Sequence, residues 1–195
     1  MTPPSWKSCT EKDLWQYVAY HLERNGIESV LVGGAVVAIY TEGLYQSADL
    51  DLVPDEFQRS KIACVLEQIG FMPSKSRYFI HPECTHLFLE FPPGPVELGD
   101  ECPVTPDTIE HHGQSLKILS PTSCVKDRLA GYIHWKSRDY FDQALLVCLR
   151  QSERIDWQSI RNWCQDSQTT TRKYLSQILA LRSIDGENRT KPTSI

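Results

Sequence analysis

The stretch LVGGAVVAIYTEGLYQSADLDLV, residues 31–53, contains the features that decide the fold. A short apolar run at residues 29–32 ends at a diglycine, and the apolar residues 35–40 continue as a short helix. Residues 48–53 alternate aspartates with apolar side chains up to Pro54, which is the pattern of a β-strand. The stretch therefore predicts a strand, a diglycine turn, a short helix and a second strand.

Gly33 and Gly34 stand where the first predicted strand meets the helix. Glycine lets another group approach the backbone closely, and the free N–H groups at a helix N-terminus attract anions. The pair is therefore a candidate for phosphate binding. Two glycines at a strand end are also typical of a plain turn, so this motif alone leaves both interpretations open.

Asp49 and Asp51 are separated by one residue, so both carboxylates project from the same face of a strand. Like charges this close repel each other, and a divalent cation such as Mg²⁺ binds carboxylates together with substrate phosphates. We expect a metal site because the apolar neighbours Leu50, Leu52 and Val53 indicate a buried strand, whose acids need a partner. The alternative is a solvent-facing strand with an acidic face.

Glu90 interrupts the apolar run LFLEF at residues 87–91. An unpaired carboxylate in such a run is costly, so one interpretation is a three-carboxylate cluster with Asp49 and Asp51. The other is an edge strand on which Glu90 faces water. Glu97, which follows a proline-rich loop, is the rival candidate for the third acid.

A charged segment in the second half of the chain supplies further candidates. Lys126 falls early in one predicted helix, and Asp139 and Asp142 share a face of the next. A cation beside the carboxylates would hold a polyphosphate, while the acids would orient the polyphosphate or an acceptor hydroxyl. Lys126 is favoured over Arg128 as the cation that contacts the polyphosphate. The alternative is a set of surface charges with a salt bridge between the helices.

The remaining periodicity predicts an α+β fold, with a mixed sheet of short strands flanked by helices and a helical C-terminal portion. We expect a core with an N-terminal helix over residues 1–120, a helical portion over 121–185 and a flexible tail over 186–195. Helices are predicted over residues 11–25, 55–69, 123–135, 137–150, 156–164 and 171–183, and further strands over 78–80, 87–91 and 116–119.

Composition and charge exclude several classes of protein. A chain of 195 residues that is 41% hydrophobic and 23% charged is neither collagen-like nor wholly disordered. Its net charge of −5 argues against tight, sequence-independent binding of nucleic acid. No apolar run approaches the ~20 residues of a membrane span, and the first residues lack the apolar block of a signal peptide. We therefore expect a cytoplasmic protein with no membrane partner.

Cysteine and histidine spacing does not indicate a metal centre. Seven cysteines are scattered through the chain without a CxxC pair, so we expect reduced, structural thiols and no zinc site. The same conclusion applies to five histidines that show no ligand spacing, namely His81, His86, His111, His112 and His134.

In combination the motifs resemble the signature of the DNA polymerase β-like nucleotidyltransferase superfamily. That pattern is hG[GS], a spacer of roughly a dozen residues, and DxD between hydrophobic residues. Here LVGG at residues 31–34 precedes DLDL at residues 49–52. Downstream, Lys126 followed by RDYFD at residues 138–142 resembles the conserved helix region of the AbiEii-type (type IV toxin) branch. The resemblance covers residues 28–150.

The resemblance implies a nucleotidyltransferase-like fold and Mg²⁺- or Mn²⁺-dependent transfer of a nucleoside monophosphate from an NTP to an acceptor. It implies that Asp49 and Asp51 bind the metal ion, and that they act in catalysis with Glu90 and Asp142. The nucleotide-binding residues that it implies are Gly33, Gly34, Ser47, Lys126 and Asp139.

The acceptor is left open among RNA or tRNA, a protein and a small molecule such as an antibiotic. The acidic chain favours a small or protein acceptor, whereas residues 151–195 carry more basic than acidic side chains and suit a tRNA end. The branch resemblance also implies an antitoxin partner. A catalytically inactive protein that keeps the fold and binds a nucleotide or a partner is the alternative function.

Overall fold

The computed structural model of the chain describes residues 1–74, 77–98 and 104–166. Within these residues a seven-stranded sheet carries six α-helices and one short 3₁₀ helix, Ser152–Arg154. The strands are β1 (Ser29–Val32), β2 (Asp49–Pro54), β3 (Met72–Pro73), β4 (Phe79–His81), β5 (Cys84–Glu90), β6 (Asp107–His111) and β7 (Gln114–Ile118). The helices are α1 (Glu11–Arg24), α2 (Gly33–Tyr40), α3 (Arg59–Gln68), α4 (Pro121–Trp135), α5 (Arg138–Arg150) and α6 (Trp157–Asp166).

The sheet is mixed, and its strands lie in the order β3-β4-β5-β2-β1-β7-β6. Strand β1 pairs antiparallel with β2, whereas the pairs β2–β5 and β1–β7 are parallel. In the central strands, Leu31, Leu50 and Leu52 are fully buried. The α+β fold with a mixed sheet is therefore confirmed, and the aspartate-bearing strand β2 lies in the middle of the sheet.

Helix α1 begins at a capping box. The Thr10 hydroxyl accepts the Asp13 N–H at 3.2 Å, and the Asp13 carboxylate accepts the Thr10 N–H at 3.0 Å. These two bonds satisfy backbone donors that a helix start would otherwise leave free. The helix packs against β1, β7, α2 and α3 through the buried side chains Leu14, Trp15, Tyr17, Val18, Ala19, Tyr20 and Leu22.

Helices α4 and α5 pack against each other, and both contact α2. Helix α4 begins at Ser120, whose hydroxyl accepts the Ser123 N–H at 3.1 Å, with Pro121 in the first turn. Gly131 permits the close approach of α5, because a Cβ atom there would lie 2.6 Å from the Tyr140 ring. The helices after the sheet are thereby anchored to the short helix that follows the diglycine.

Strands β3 and β6 were not predicted from the sequence. They lie at the two edges of the sheet, where a strand needs no continuous apolar face. Both residues of β3 are exposed, and β6 contains no fully buried side chain. These strands are defined only by their backbone pairing with β4 and β7. Their sequences therefore lack the hydrophobic alternation from which a strand is predicted.

Several helix starts differ from the sequence prediction; α4 begins two residues earlier, at Pro121, and α5 and α6 each begin one residue later. Helix α3 begins at Arg59 and not at residue 55, because residues 55–58 form a turn in which the Asp55 N–H donates to the Glu28 carbonyl at 3.1 Å. Helix α2 begins at Gly33 itself, so both glycines belong to its first turn.

The helical C-terminal portion is described as far as residue 166. The helix predicted over residues 171–183 and the tail over 186–195 lie outside the described residues. The division of the chain near residue 120 stays a prediction. Among the described residues, no helix has the length and apolar character needed to cross a membrane.

Candidate active site

Three carboxylates meet on neighbouring strands in the middle of the sheet. The parallel register pairs Asp51 of β2 with Glu90 of β5, and Asp49 precedes Asp51 by two residues on the same side of β2. One carboxylate oxygen from each residue lies within 4.8 Å of the others. Glu97, the rival third acid, is exposed after β5 and is not part of this cluster. The sheet register therefore brings together the three acids that the sequence singled out.

The diglycine lies directly against this cluster. Gly33 has a φ of +75°, and a Cβ atom at this position would lie 2.3 Å from Asp51 Oδ2. A Cβ atom at Gly34 would lie 2.6 Å from the Ser47 hydroxyl. Only glycine permits such contacts between the start of α2 and the acidic strand. The backbone N–H groups at the start of α2 thus border the carboxylates. This arrangement suits an anion that the N–H groups bind directly and that a cation links to the carboxylates.

Ser47 connects the carboxylates to helix α1. Its hydroxyl donates to Asp49 Oδ1 at 3.0 Å, and its backbone N–H donates to Glu11 Oε1 at 2.9 Å. The residue is buried. Because both its hydroxyl and its backbone are hydrogen-bonded, Ser47 restricts where the Asp49 carboxylate can point.

The carboxylate cluster carries more negative charge than its surroundings neutralise. Burial, followed by the charges of Asp49 and Glu90, raises the pKa of Asp51 from an ordinary 3.8 to about 7. Burial also raises the pKa of Glu90. A cation bound among these groups would stabilise their charged forms, so the donor set and its electrostatics fit a hard divalent ion such as Mg²⁺.

Arg77 partly balances the charge at Glu90. Its Nε lies 2.9 Å from Glu90 Oε1, and its positive charge opposes the rise in the Glu90 pKa. The Arg77 side chain is 67% exposed, so this ion pair is open to water and weak. Nothing in the local sequence around Arg77 links it to β5, so the sequence does not predict this ion pair.

Arg128 of α4 is a second cation that acts on the cluster, although the sequence pattern favours Lys126 for the nucleotide contact. Its charge lowers the pKa of Asp51, and its Nη1 donates to Gln143 Oε1 at 3.1 Å. Gln143 Nε2 in turn donates to Asp139 at 2.6 Å and to the Tyr45 hydroxyl at 3.1 Å. The exposed Asp139 is therefore connected to Arg128 through the buried Gln143. Arg128 also donates from Nε to Asp127 Oδ2 at 3.0 Å.

Lys126 and Asp142 have different surroundings. Lys126 is buried on α4, and its charge lowers the pKa of Cys164 on α6. Asp142 is exposed on α5 and accepts from Arg138 Nε at 3.0 Å, one turn earlier. Asp142 does not contribute a carboxylate to the acidic cluster described above.

A cavity of about 470 Å³ adjoins this region. Arg128 lies between the cavity and the charge network, and the aromatic residues Trp135, Tyr140 and Trp163 line the cavity walls. The Trp135 side chain is largely exposed. An aromatic cavity lined by the cation Arg128 and the carboxylate Asp127 can accommodate a flat, partly polar molecule.

No family model and no curated protein matches the chain. Among solved structures, the crystal structure of an antigenic nucleotidyltransferase-like protein from Paracoccidioides brasiliensis is similar, with 21% sequence identity. The match covers 72% of this chain and 76% of that protein, with a TM-score of 0.53.

Two structures of ANT(2″)-Ia are also similar over most of the chain. The crystal structure in complex with adenylyl-2″-tobramycin is 12% identical, covers 87% of this chain and 95% of that one, and has a TM-score of 0.47. The solution structure of the same antibiotic-resistance factor is 11% identical, covers 88% and 92%, and has a TM-score of 0.46. From the sheet and the Paracoccidioides structure, the chain has a nucleotidyltransferase-like fold.

Proposed function

We propose that the protein is a metal-dependent nucleotidyltransferase that moves a nucleoside monophosphate from an NTP to an acceptor. The observation that carries the proposal is the meeting of Asp49, Asp51 and Glu90 within 4.8 Å of one another, against the diglycine at the start of α2. A buried acidic cluster without a function would be costly, because its members raise one another's pKa.

Asp49 and Asp51 would hold the Mg²⁺ or Mn²⁺ ion. Such an ion neutralises phosphate charge and supports in-line displacement at phosphorus. Gly33 and Gly34 would offer backbone N–H groups to the triphosphate, and Ser47 would keep Asp49 in position. The roles proposed for the glycines and Ser47 follow from their close contacts with Asp51 and Asp49.

Glu90 is the proposed general base. Its pKa is raised by burial, which makes the carboxylate a better proton acceptor. It would take the proton of the acceptor hydroxyl while that oxygen bonds to the α-phosphorus. The bond from the α-phosphorus to the bridging oxygen would break at the same time, and pyrophosphate would leave with that electron pair.

Lys126 and Asp139 remain proposed nucleotide-binding residues, and Asp142 a proposed catalytic residue. We add Arg128, because its guanidinium acts electrostatically on Asp51 and borders the aromatic cavity. A guanidinium pairs well with phosphate oxygens. In this proposal Asp139 acts through Gln143, which connects it to Arg128.

The branch of the superfamily, the partner and the acceptor are also proposed. The motif resemblance supports an AbiEii-type protein of the cytoplasm with an antitoxin partner, and an acceptor among RNA or tRNA, a protein or a small molecule. The ANT(2″)-Ia structure contains an adenylylated antibiotic, tobramycin, so aminoglycosides belong among the small molecules to be tested.

The test is a transfer assay with each of the four NTPs labelled on the α-phosphate, in the presence of Mg²⁺ or Mn²⁺. Total tRNA, the purified protein itself and an aminoglycoside panel serve as acceptors. We expect label on one acceptor class with the wild type and none with Asp49→Asn or Glu90→Gln. Asp55→Asn is the matched control, since Asp55 is exposed just beyond the same strand. Metal-dependent NTP binding without transfer to any acceptor would favour the inactive binding protein.

A further inference from the structure

A second cluster of chemically reactive side chains lies at the other end of β5. Cys9 precedes α1, Cys84 begins β5, and His86 follows two residues later on the same strand. The two Sγ atoms are 3.7 Å apart, and Cys84 Sγ lies 3.9 Å from His86 Nδ1. All three ligand atoms lie within 4.8 Å of one another.

These separations match the edges of a zinc tetrahedron. With Zn–S bonds of about 2.3 Å and Zn–N bonds of about 2.1 Å, tetrahedral angles separate two sulfurs by about 3.8 Å and a sulfur from a nitrogen by about 3.6 Å. The observed Cys9–Cys84 separation of 3.7 Å has this value, and the Cys84–His86 separation of 3.9 Å is close to it. Two of the three edges therefore agree with a tetrahedral ion, and the third pair, one Cys9 and one His86 ligand atom, lies within 4.8 Å.

The hydrogen bonding of His86 provides an independent indication. Its Nε2 lies 3.0 Å from the Cys9 carbonyl oxygen, which can only accept, so Nε2 carries the proton and donates. In this neutral tautomer the lone pair of Nδ1 faces the two thiols. Zinc-ligating histidines use the same arrangement, in which the second ring nitrogen donates to a backbone carbonyl.

We propose that Cys9, Cys84 and His86 bind a zinc ion, with a solvent ligand in the fourth position. Two thiolates and one imidazole favour Zn²⁺ strongly over Mg²⁺, which prefers oxygen. His86 is exposed, so solvent reaches the fourth position. The spacing rules for zinc motifs do not detect this site, because 75 positions separate the two cysteines and only the fold brings them together.

The zinc site is distinct from the carboxylate cluster. Cys84 and Glu90 occupy opposite ends of β5, about 20 Å apart at the rise of an extended strand. The zinc ion would fasten the segment before α1 to β5. Cys9 lies two residues before Glu11, whose carboxylate accepts the Ser47 N–H. The role of the zinc ion is therefore to secure helix α1, which contacts Ser47 through Glu11, against β5, which carries Glu90.

The first test replaces zinc with Co²⁺ in the full chain, after chelator treatment under a metal-free reductant and with saturating Mg²⁺ present. We expect one Co²⁺ per chain, with thiolate-to-cobalt charge-transfer absorption and the visible bands of tetrahedral cobalt. Zn²⁺ should displace the cobalt and raise the melting temperature. Cys9→Ser and Cys84→Ser should lose the charge-transfer band or reduce it to that of one thiolate.

Matched controls separate this site from the carboxylate cluster and from unfolding. Cys64→Ser changes an exposed cysteine outside the cluster and should keep the full spectrum. Asp51→Asn should also keep it, so failure of the nucleotidyltransferase proposal would leave this result intact. Because His86 is exposed, His86→Gln should fold, yet bind Co²⁺ at least about tenfold more weakly, whereas His134→Gln should not.

Three outcomes would overturn the zinc proposal. One is the absence of a charge-transfer band at saturating Co²⁺ in the folded wild type. Another is a full band in both Cys9→Ser and Cys84→Ser. The third is a Cys9–Cys84 disulfide in the isolated protein together with no zinc binding after reduction, which would assign the pair to thiol oxidation.

Discussion

At the scale of single residues, Asp51 determines most of the electrostatics of the candidate site. It is largely buried, two other acids lie beside it, and Gly33 contacts its carboxylate. Its pKa of about 7 lies above the ordinary 3.8, so the folded protein binds its proton more tightly than the unfolded chain does. The carboxyl thus contributes stability below pH 3.8 that is lost as the pH rises through about 7.

The first prediction concerns this pH dependence. Without divalent ions, the free energy of unfolding should fall between about pH 4 and pH 7 by at most about 4 kcal/mol from Asp51, at 1.36 kcal/mol per pKa unit. Asp51→Asn should remove this component and be more stable than the wild type at pH 8. Urea denaturation over a pH series measures it, with Asp55→Asn as control. A variant less stable than the wild type at pH 8 would show that the carboxylate has a structural role.

The second prediction concerns Gly33. Gly33 and Gly113 both have a φ of +75°. A Cβ atom added at Gly33 would lie 2.3 Å from Asp51 Oδ2, whereas one added at Gly113 would have no neighbour within 4 Å. Gly113→Ala should cost about 1 kcal/mol of stability from backbone strain alone. Gly33→Ala should cost about 1–3 kcal/mol more, the range of an overpacked site, and abolish NTP binding. Denaturation and nucleotide titration measure the pair, and equal costs would disprove the close approach.

The third prediction compares two basic residues of α4. We expect Arg128→Ala to weaken NTP binding about tenfold or more, the loss expected for a hydrogen bond to a charged group, and Lys126→Ala to weaken it less. Arg128→Ala should also raise the Asp51 pKa further, because the guanidinium lowers it. Arg150→Ala, at the exposed end of α5, is the control. A larger effect of Lys126→Ala would restore the ranking expected from the sequence.

At the scale of elements, helix α1 acts on the site through its first turn. Glu11 accepts the buried Ser47 N–H at 2.9 Å, and Ser47 holds Asp49 at 3.0 Å. A helix whose capping box lies far from the sequence motifs therefore positions Asp49, a proposed metal ligand. Composition and periodicity predict the helix itself but not this contact.

The fourth prediction removes that contact. Glu11→Ala leaves the buried Ser47 N–H without its acceptor, a cost of about 1–3 kcal/mol. We expect faster hydrogen exchange at the Ser47 amide and weaker metal binding. Glu11→Gln keeps an acceptor oxygen and should restore slow exchange, and Lys12→Ala tests an exposed neighbour. An unchanged rate of hydrogen exchange at the Ser47 amide in Glu11→Ala would show that α1 does not position Ser47.

The elements also show where sequence patterns stop being informative. Strands β1 and β2 and helix α2 were predicted because their apolar faces are buried and their ends carry glycine or proline. Strands β3 and β6 were missed because an edge strand bonds to one neighbour and needs no apolar alternation. Local patterns therefore describe the centre of this sheet better than its edges.

At the scale of the whole molecule, the site is assembled from distant parts of the chain. Strand β2 supplies two acids, β5 the third, α2 the glycines and α4 the arginine. The helices after the sheet pack on α2 and form part of the aromatic cavity. In the proposed function, a bound metal–nucleotide complex would contact both the sheet and these helices, and should therefore stabilise the entire fold.

The fifth prediction follows from this shared site. Mg²⁺ together with one preferred NTP at about 100 times its Kd should stabilise the fold by about 2.7 kcal/mol, which raises the melting temperature by about 5 °C or more. Mg²⁺ alone or NTP alone should do less, because the carboxylates repel a free triphosphate. Differential scanning fluorimetry of the wild type and Asp49→Asn measures this. A shift of the same size in Asp49→Asn would place the nucleotide elsewhere.

The sequence by itself determined the α+β class, the central strand–diglycine–helix–strand unit and the acidic residues of the candidate site. Buried helices and strands repeat their apolar side chains at a regular spacing, and glycine indicates close approach to the backbone. Two acids separated by one residue lie on the same face of a strand.

The tertiary structure alone decided which distant groups meet. The register of β2 with β5 places Glu90, and not Glu97, beside Asp51, and helix packing brings Gln143 of α5 to Arg128 of α4. Folding also brings Cys9 beside Cys84. Pairing between remote segments depends on sheet order and helix packing, which the local period of a sequence does not encode.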